Sequence, residues 1–160
     1  MSKKKTIATP AVRVLKAGHV DFLLHFYKYE DNGGTAAAAR ELGLNERQVI
    51  KTLVMEGDPG QYLLVLMHGD RQVSVKSLAR SLKIKTVSPC KPEIAQKTTG
   101  YKVGGISPFG TRKKFAVYME SSIMALDTIY INAGKRGVLA QLAPTALAGI
   151  LNPVMVAVGI

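Results

Sequence analysis

Short stretches that suit β-strands alternate irregularly with equally short stretches that suit helices, and this pattern constrains the fold more than any other feature of the chain. Apolar residues follow a strand pattern in 22–29, 50–55, 62–67, 115–119, 127–131 and 154–158. Helical spacing and capping residues mark 11–16, 36–42, 75–82, 92–99 and 145–151. The order lacks the regular strand-helix-strand spacing of a doubly wound sheet. The sequence therefore predicts an α+β domain in which short helices pack around a curled, barrel-like mixed sheet.

Two local features of this pattern carry specific expectations. Residues 22–29 have apolar side chains on both faces, so we expect this strand at the centre of the sheet. Thr9, Thr35 and Ser74 each precede a helical stretch, and we expect their hydroxyls to cap the first helical turns.

The length and composition of the chain fit a single domain. It has 160 residues, of which 47% are apolar, and this is enough to fill one hydrophobic core. We assign residues 9–160 to the domain and residues 1–8 to a flexible, basic N-terminal tail. The single cysteine, Cys90, excludes an internal disulfide and favours a reducing compartment. No long apolar run follows the basic start, so a secretory signal is not expected and the cytoplasm is the predicted location.

Residues 137–160 carry no charge, and a stretch of this length could cross a bilayer. Pro144 and Pro153 interrupt it at positions that suit a helix start and a helix stop. We therefore predict a helix followed by a buried strand, and no association with a membrane.

The charge of the chain points to a polyanionic partner. Lysine and arginine total 22 against 11 acidic residues, which gives a formal net charge of +11. Two loops carry basic tips, one at Arg112 and Lys113 and the other at Lys135 and Arg136. Each cluster alone is typical of a solvated surface, but together with the net charge they favour a nucleic-acid backbone.

The usual catalytic and cofactor motifs are absent from the sequence. The histidines at positions 19, 25 and 68 lack metal-ligand spacing, so no metal site is predicted. There is no serine nucleophile elbow and no paired carboxylate motif. Residues 105–110 resemble half of a phosphate loop, but Thr111 and Arg112 stand where lysine and then serine or threonine are required. We predict no cofactor, and any enzyme built on this chain lacks an ordinary nucleophile.

Two features could belong to a site. Gly104 and Gly105 precede Ile106, Ser107 and Pro108, and they either form a tight turn or bring bare backbone amides close to an ester carbonyl. Lys51 stands between Ile50 and Thr52 at the start of an apolar strand. Such a lysine is either an edge residue or a partly desolvated group in a site, and the pattern alone slightly favours the edge.

Three motifs, read together, resemble the YbaK family. They are VIKTL at 49–53, TGYKVGGISPFG at 99–110 and IYINAGKRG at 129–137. The family comprises aminoacyl-tRNA deacylases related to the editing domain inserted in prolyl-tRNA synthetases. The resemblance runs from about Thr9 to the C-terminus and implies a mixed α+β fold around a curled sheet.

The resemblance also implies roles for individual residues. Lys51 and Gly104 become the catalytic residues. The substrate-binding residues it implies are Tyr27, Thr52, Gly105, Ile106, Ser107 and Pro108. Arg112, Lys113, Lys135 and Arg136 are then expected to hold tRNA phosphates. The expected partner is mischarged tRNA(Pro), with prolyl-tRNA synthetase as a further candidate, and no cofactor is implied.

The implied reaction is deacylation of cysteinyl-tRNA(Pro) in trans, in which the thiol of the substrate attacks its own ester. The chain departs from this branch at Asn32-Gly33-Gly34, where family members commonly have acidic residues and a Phe-Gly pair. Two alternatives therefore remain. One is a deacylase that removes alanine, or another small amino acid, from tRNA(Pro) by activating a water molecule, and the other is a non-catalytic adaptor for tRNA or a synthetase.

Overall fold

A computed structural model describes residues 6–160. Five α-helices occur in this part of the chain: α1 (Pro10–Ala17), α2 (Gly34–Leu42), α3 (Val75–Leu82), α4 (Pro92–Thr99) and α5 (Pro144–Leu151). The first four strands are β1 (Leu23–Phe26), β2 (Val49–Glu56), β3 (Tyr62–His68) and β4 (Ser88–Pro89). The others are β5 (Ala116–Glu120), β6 (Ile129–Asn132), β7 (Val138–Leu142) and β8 (Val154–Val156). Residues 1–5 of the predicted flexible tail lie outside the described residues.

Two of the three predicted side-chain caps at helix starts are confirmed. The hydroxyls of Thr9 and Ser74 accept from the backbone N–H groups of Val12 and Ser77, at 3.1 and 3.2 Å. The cap predicted for Thr35 is wrong, because α2 begins at Gly34, two residues before the predicted start, and Gly33 occupies the N-cap position. The Thr35 hydroxyl instead lies 2.8 Å from a carboxylate oxygen of Glu46.

The eight strands form one mixed sheet, which confirms the predicted α+β class. Its order is β1-β7-β6-β2-β3-β5-β8, with β4 paired to β2 outside this path. Within the described residues, β1 and β8 end the path without pairing with each other, so the sheet is open rather than a closed barrel.

Strand β1 lies at one end of the sheet, and the prediction of a central strand is therefore wrong. In the part of the chain that the structure describes it pairs with β7, in antiparallel register from Leu23 opposite Gln141 to Phe26 opposite Val138. Leu24 and Phe26 pack on the main core. On the other face Leu23 is 61% exposed, so apolar residues on both faces did not mean burial on both faces.

The sheet separates apolar clusters on its two sides. The larger cluster joins α1, α4 and α5 to the sheet through residues such as Leu15, Ala95 and Leu147. A second cluster places Leu78 of α3 against β3, and a small third cluster places Ala38 of α2 against β2 and β7. The uncharged stretch supplies β7, α5 and β8, and no described helix is long and apolar enough to cross a membrane.

Strand β2 has an interruption in its pairing. Along one edge it is antiparallel to β3 from Ile50 to Glu56. On the other edge the parallel ladder with β6 stops at Ile50, and the ladder with β4 covers only Met55 and Glu56. No strand of the described chain pairs with residues 51–54 on this edge. We call this interruption the sheet gap.

Replacement of Glu120 by alanine is expected to destabilise the protein strongly. Its buried carboxylate accepts hydrogen bonds from the backbone N–H groups of Val158 and Gly159, at 2.7 and 2.9 Å. Removing it leaves these two donors without an acceptor, at a cost of about 3 kcal/mol. Urea unfolding measures this, with the exposed Glu41→Ala as control, expected to change stability by about 0.5 kcal/mol or less. Equal midpoints for the two variants would contradict the prediction.

Candidate functional site

A cavity of about 470 Å³ lies beside the sheet gap. Its walls come from β2, the N-terminal part of α2, residues 27–32 and the glycine-containing loop after α4. We call it the first cavity. Five of the residues predicted for a site line it together: Tyr27, Lys51, Thr52, Gly104 and Ile106.

Lys51 lies where the pairing of β2 with β6 has just ended. Partial burial lowers the pKa of its ammonium group, and this effect outweighs the opposing fields of Glu46 and Asp70. Its ammonium group forms no ion pair within residues 6–160. The two interpretations of Lys51 are therefore not exclusive, because the residue faces an unpaired stretch of strand and also lines a cavity.

Thr52 presents unsatisfied polar groups at the gap. Its hydroxyl is buried and has no hydrogen-bond partner in the described chain. The N–H of Cys90 donates to the carbonyl of Val54 at 3.0 Å, so the main chain of Val54 points to the gap edge. Because strand residues alternate in direction, the N–H and C=O of Thr52 point to the same edge. A polar ligand placed here would find both a donor and acceptors.

The glycine-containing loop forms a turn and also borders the cavity. The N–H of Gly105 donates to the carbonyl of Lys102 at 2.8 Å, which closes a tight turn. The N–H groups of Gly104 and Ile106 have no acceptor within residues 6–160. Gly104 has φ of +91°, and a side chain there would collide with the hydroxyl of Tyr29. The loop is therefore both a tight turn and a source of unpaired backbone amides, although the N–H of Gly105 is not one of these because it donates within the turn.

Ser107 and Pro108 lie behind this loop rather than in its cavity wall. Both are buried, and the Ser107 hydroxyl accepts from the N–H of Phe109 at 3.2 Å. Their position supports the loop from the inside. We expect any role in substrate binding to act through Gly104 and Ile106.

The loop that carries Lys135 and Arg136 is joined to the glycine-containing loop. Arg136 Nε donates to the carbonyl of Val103 at 2.8 Å, and its guanidinium lies 5.0 Å from the ring centre of Tyr29. A Cβ on Gly105 would come within 2.8 Å of the backbone nitrogen of Arg136. The two loops therefore pack backbone to backbone.

Arg112 and Lys113 are held on a separate segment. Their N–H groups donate to the carbonyls of Thr99 and Thr98, at 2.9 and 3.0 Å, so both follow the end of α4. Neither residue lines the first cavity. The two basic clusters predicted from the sequence thus occupy different loops.

Sequence reasoning missed two residues of the site, Tyr29 and Asn132. Asn132 donates from its side-chain amide to the carbonyl of Gly104 at 3.2 Å and accepts from the N–H groups of Gly134 and Lys135. An asparagine two residues before a glycine is typical of a turn in which the side chain binds the backbone, and this signal could have identified it. Tyr29 carried no such signal.

Replacement of Gly105 by alanine is expected to destabilise the protein by about 1–3 kcal/mol, because the new methyl group overlaps the backbone of the neighbouring loop. Gly149→Ala is the matched control. Gly149 lies inside α5 with no atom near the position of a Cβ, so alanine is expected to stabilise the helix by about 0.5–1 kcal/mol. Thermal unfolding of both variants measures the difference. A Gly105→Ala protein as stable as Gly149→Ala would refute the close packing of the loops.

Comparison with known proteins places this site in a family context. The model of the family described as aminoacyl-tRNA editing domain matches residues 30–150. EbsC of Enterococcus faecalis, provisionally named a Cys-tRNA(Pro)/Cys-tRNA(Cys) deacylase, is 31% identical over 95% of this chain and 94% of its own. A proline–tRNA ligase of Caldicellulosiruptor bescii is 30% identical over 59% of this chain, but the match covers only 16% of the ligase.

The fold is similar to that of a solved structure described provisionally as a trans-editing enzyme for prolyl-tRNA synthetase. The TM-score is 0.81 at 19% identity, over 97% of this chain and 99% of the other. At this identity the likeness concerns the fold alone. The family match, which covers most of the chain, shows that the chain belongs to the aminoacyl-tRNA editing domain family.

Proposed function

We propose that this protein deacylates mischarged cysteinyl-tRNA(Pro) in trans, in the cytoplasm. The observation that carries the proposal is the composition of the first cavity. Lys51, Thr52 and Gly104 all line it, and its lining contains no cysteine, serine or histidine. A site of this kind can hold an ester and polarise its carbonyl, and it lacks the side chains that most often attack esters, so the proposal takes the nucleophile from the bound molecule.

In the proposed mechanism the thiol of the cysteinyl group attacks its own ester carbonyl. A carbon–sulfur bond forms, the bond to the ribose oxygen breaks, and the thiol proton ends on that oxygen. The products are free tRNA and a cyclic thioester, which water hydrolyses later. Holding the reacting atoms at attack distance can contribute about 7–11 kcal/mol to lowering the barrier.

The free backbone amides of the glycine-containing loop are suited to the ester carbonyl. The N–H of Gly104 donates to its oxygen, and the N–H of Ile106 takes the place expected for Gly105, whose own N–H is used in the turn. Lys51 anchors the terminal adenosine or its phosphate through its ammonium group. Thr52 supplies the hydroxyl that lacks a protein partner.

The tRNA backbone is proposed to contact the basic loops. Arg112, Lys113, Lys135 and Arg136 supply cations on two segments, and the net charge of +11 favours a polyanion throughout. The match to part of a proline–tRNA ligase supports prolyl-tRNA synthetase as the partner that presents the mischarged tRNA.

A second candidate substrate is alanyl-tRNA(Pro), with a water molecule as nucleophile. The helix α2 offers only Gly34, Thr35, Ala37 and Ala38 to the cavity, and these small side chains leave room for water beside a small aminoacyl group. A non-catalytic adaptor, by contrast, has no need of a lysine and free amides inside a cleft.

Replacement of Lys51 by alanine or methionine is expected to lower kcat/KM for deacylation about a hundredfold, because a positioned cation is lost. Lys85→Met is the exposed control and is expected to retain full activity. Single-turnover deacylation of cysteinyl-tRNA(Pro) measures both. If a folded Lys51→Ala protein were as fast as wild type, the role of Lys51 would be refuted.

The stability of the Lys51→Met variant provides a separate check. Since the folded-state pKa lies below 10.5, the unfolded chain binds more protons in the alkaline window up to that value. The unfolding free energy of the wild type should therefore rise with pH there, relative to the variant. At neutral pH, where the charge is retained at a cost, the variant should melt at the same or a higher temperature. A parallel pH dependence of the two proteins would contradict the lowered pKa.

The identity of the nucleophile is tested by the aminoacyl group itself. Cysteinyl-tRNA(Pro) should be deacylated at least about a hundredfold faster than seryl-tRNA(Pro), because a hydroxyl is a far weaker nucleophile at neutral pH. Prolyl-tRNA(Pro) should survive, since proline has no thiol. Faster cleavage of alanyl-tRNA(Pro) would favour the water mechanism, and no cleavage of any member of the panel would favour the adaptor.

A further inference from the structure

A second cavity, of about 390 Å³, lies on the other side of the sheet gap. It extends along β2 to Met55 and is closed by β4, the start of α4 and residues 72–75. Four residues line both cavities: Lys51, Thr52, Val103 and Ile106. The two cavities are therefore neighbours across one short wall.

This arrangement matters for a ligand that has two unlike halves. In the proposed reaction the ester lies at the wall formed by Lys51, Thr52 and Gly104, with the small aminoacyl group in the first cavity. The ribose on the other side of the ester must then leave this wall in a different direction. The second cavity begins at Lys51 and Thr52 of this wall and continues along β2 to Met55.

The lining of the second cavity suits a flat heteroaromatic base. Carbon surfaces come from Leu53, Val73, Val75, Pro89 and Pro92. Adenine has two apolar faces and a polar edge, so such walls can cover its faces while polar groups meet its edge.

Polar groups are few in this cavity: the Lys51 ammonium group lies at the wall shared with the first cavity, and others come from Thr52 and Gln72. The main-chain N–H and C=O of Thr52 point to the sheet gap, and the Gln72 side-chain amide adds a donor and an acceptor at the exposed rim. This is the distribution expected for a subsite that reads one edge of a base.

We propose that the second cavity binds the adenine of the 3′-terminal nucleotide, while the first cavity holds the aminoacyl group. The inference rests on the proposed function, because it takes aminoacyl-tRNA as the substrate. It goes beyond that function by placing the nucleotide half in a defined subsite, with Val75 and Gln72 at its rim and the sheet gap at its inner end.

The single cysteine of the chain provides a direct test. Cys90 is half-buried and lines the second cavity but not the first. The rate at which a maleimide labels Cys90 is measured with uncharged CCA trinucleotide and with CCC as control. We expect saturating CCA to slow labelling about tenfold and CCC to have little effect. Unchanged labelling with CCA, or equal protection by both trinucleotides, would overturn the proposal.

A cavity-filling variant makes the test independent of a single reporter. Val75→Trp places a large side chain at the rim of the second cavity, and Val154→Trp, on the remote strand β8, is the control of equal bulk. Val75→Trp is expected to abolish protection of Cys90 by CCA and to raise KM for cysteinyl-tRNA(Pro) about tenfold or more, with little change in kcat. Persistent CCA protection with wild-type KM in a folded Val75→Trp protein would overturn the proposal.

Failure of this inference can be told apart from failure of the proposed function. Protection by CCA requires neither an ester nor its cleavage, so it can occur in a protein that deacylates nothing. Rapid deacylation with unprotected Cys90 would instead keep the proposed function and remove the adenine from the second cavity.

Discussion

The interrupted pairing of β2 is the constraint on which the site depends. A strand with partners along both edges has all its main-chain groups satisfied and leaves no opening beside it. Here β6 departs after Ile50, and β4 is limited to two residues, with Pro89 in the strand and Pro92 at the start of α4. Proline cannot extend a ladder, because it lacks an N–H group. Both cavities meet at the opening that results, and the buried hydroxyl of Thr52 lies in their shared wall.

The packing of the two loops couples charge recognition to the shape of the cavity. Arg136 has a charge suited to phosphate. Its Nε–H also donates a hydrogen bond to the carbonyl of Val103, which lines both cavities, and its guanidinium lies over the ring of Tyr29. Asn132 ties Gly104 to the same basic loop. A phosphate bound at this loop would therefore affect the position of Val103 and Gly104, which border the proposed ester site. The backbone N–H groups of Arg112 and Lys113 bond to the end of α4 instead, so these two residues can attract phosphates without a direct link to the glycine-containing loop.

Much of the fold could be predicted, because capping residues, glycines and prolines mark its short elements locally. The limits of β2, β3, α3 and α4 lie within one residue of the predicted limits. Strand β7 was missed because the uncharged stretch lacks alternation between polar and apolar residues. The position of β1 at the end of the sheet was also missed, because its apolar residues do not show which of its faces other elements cover. For the site, Lys51, Thr52 and Gly104 could be named from motifs. Tyr29 could not, since it meets Gly104 only through tertiary packing, and neither could the satisfied amide of Gly105.

The order of the sheet has a consequence for how the chain acquires its structure during synthesis. Among residues 6–160 strand β1 pairs with β7, and the parallel partner of β2 on the side of the gap is β6. A nascent chain that has emerged only as far as residue 128 can form the β2–β3 hairpin and its pairing with β4, but the start of β2 still lacks β6 and β1 still lacks β7. Such distant pairings are slow to form and leave apolar edges exposed meanwhile. The opening beside Lys51 is therefore bounded on this side only once β6 has been made and has paired with Val49 and Ile50.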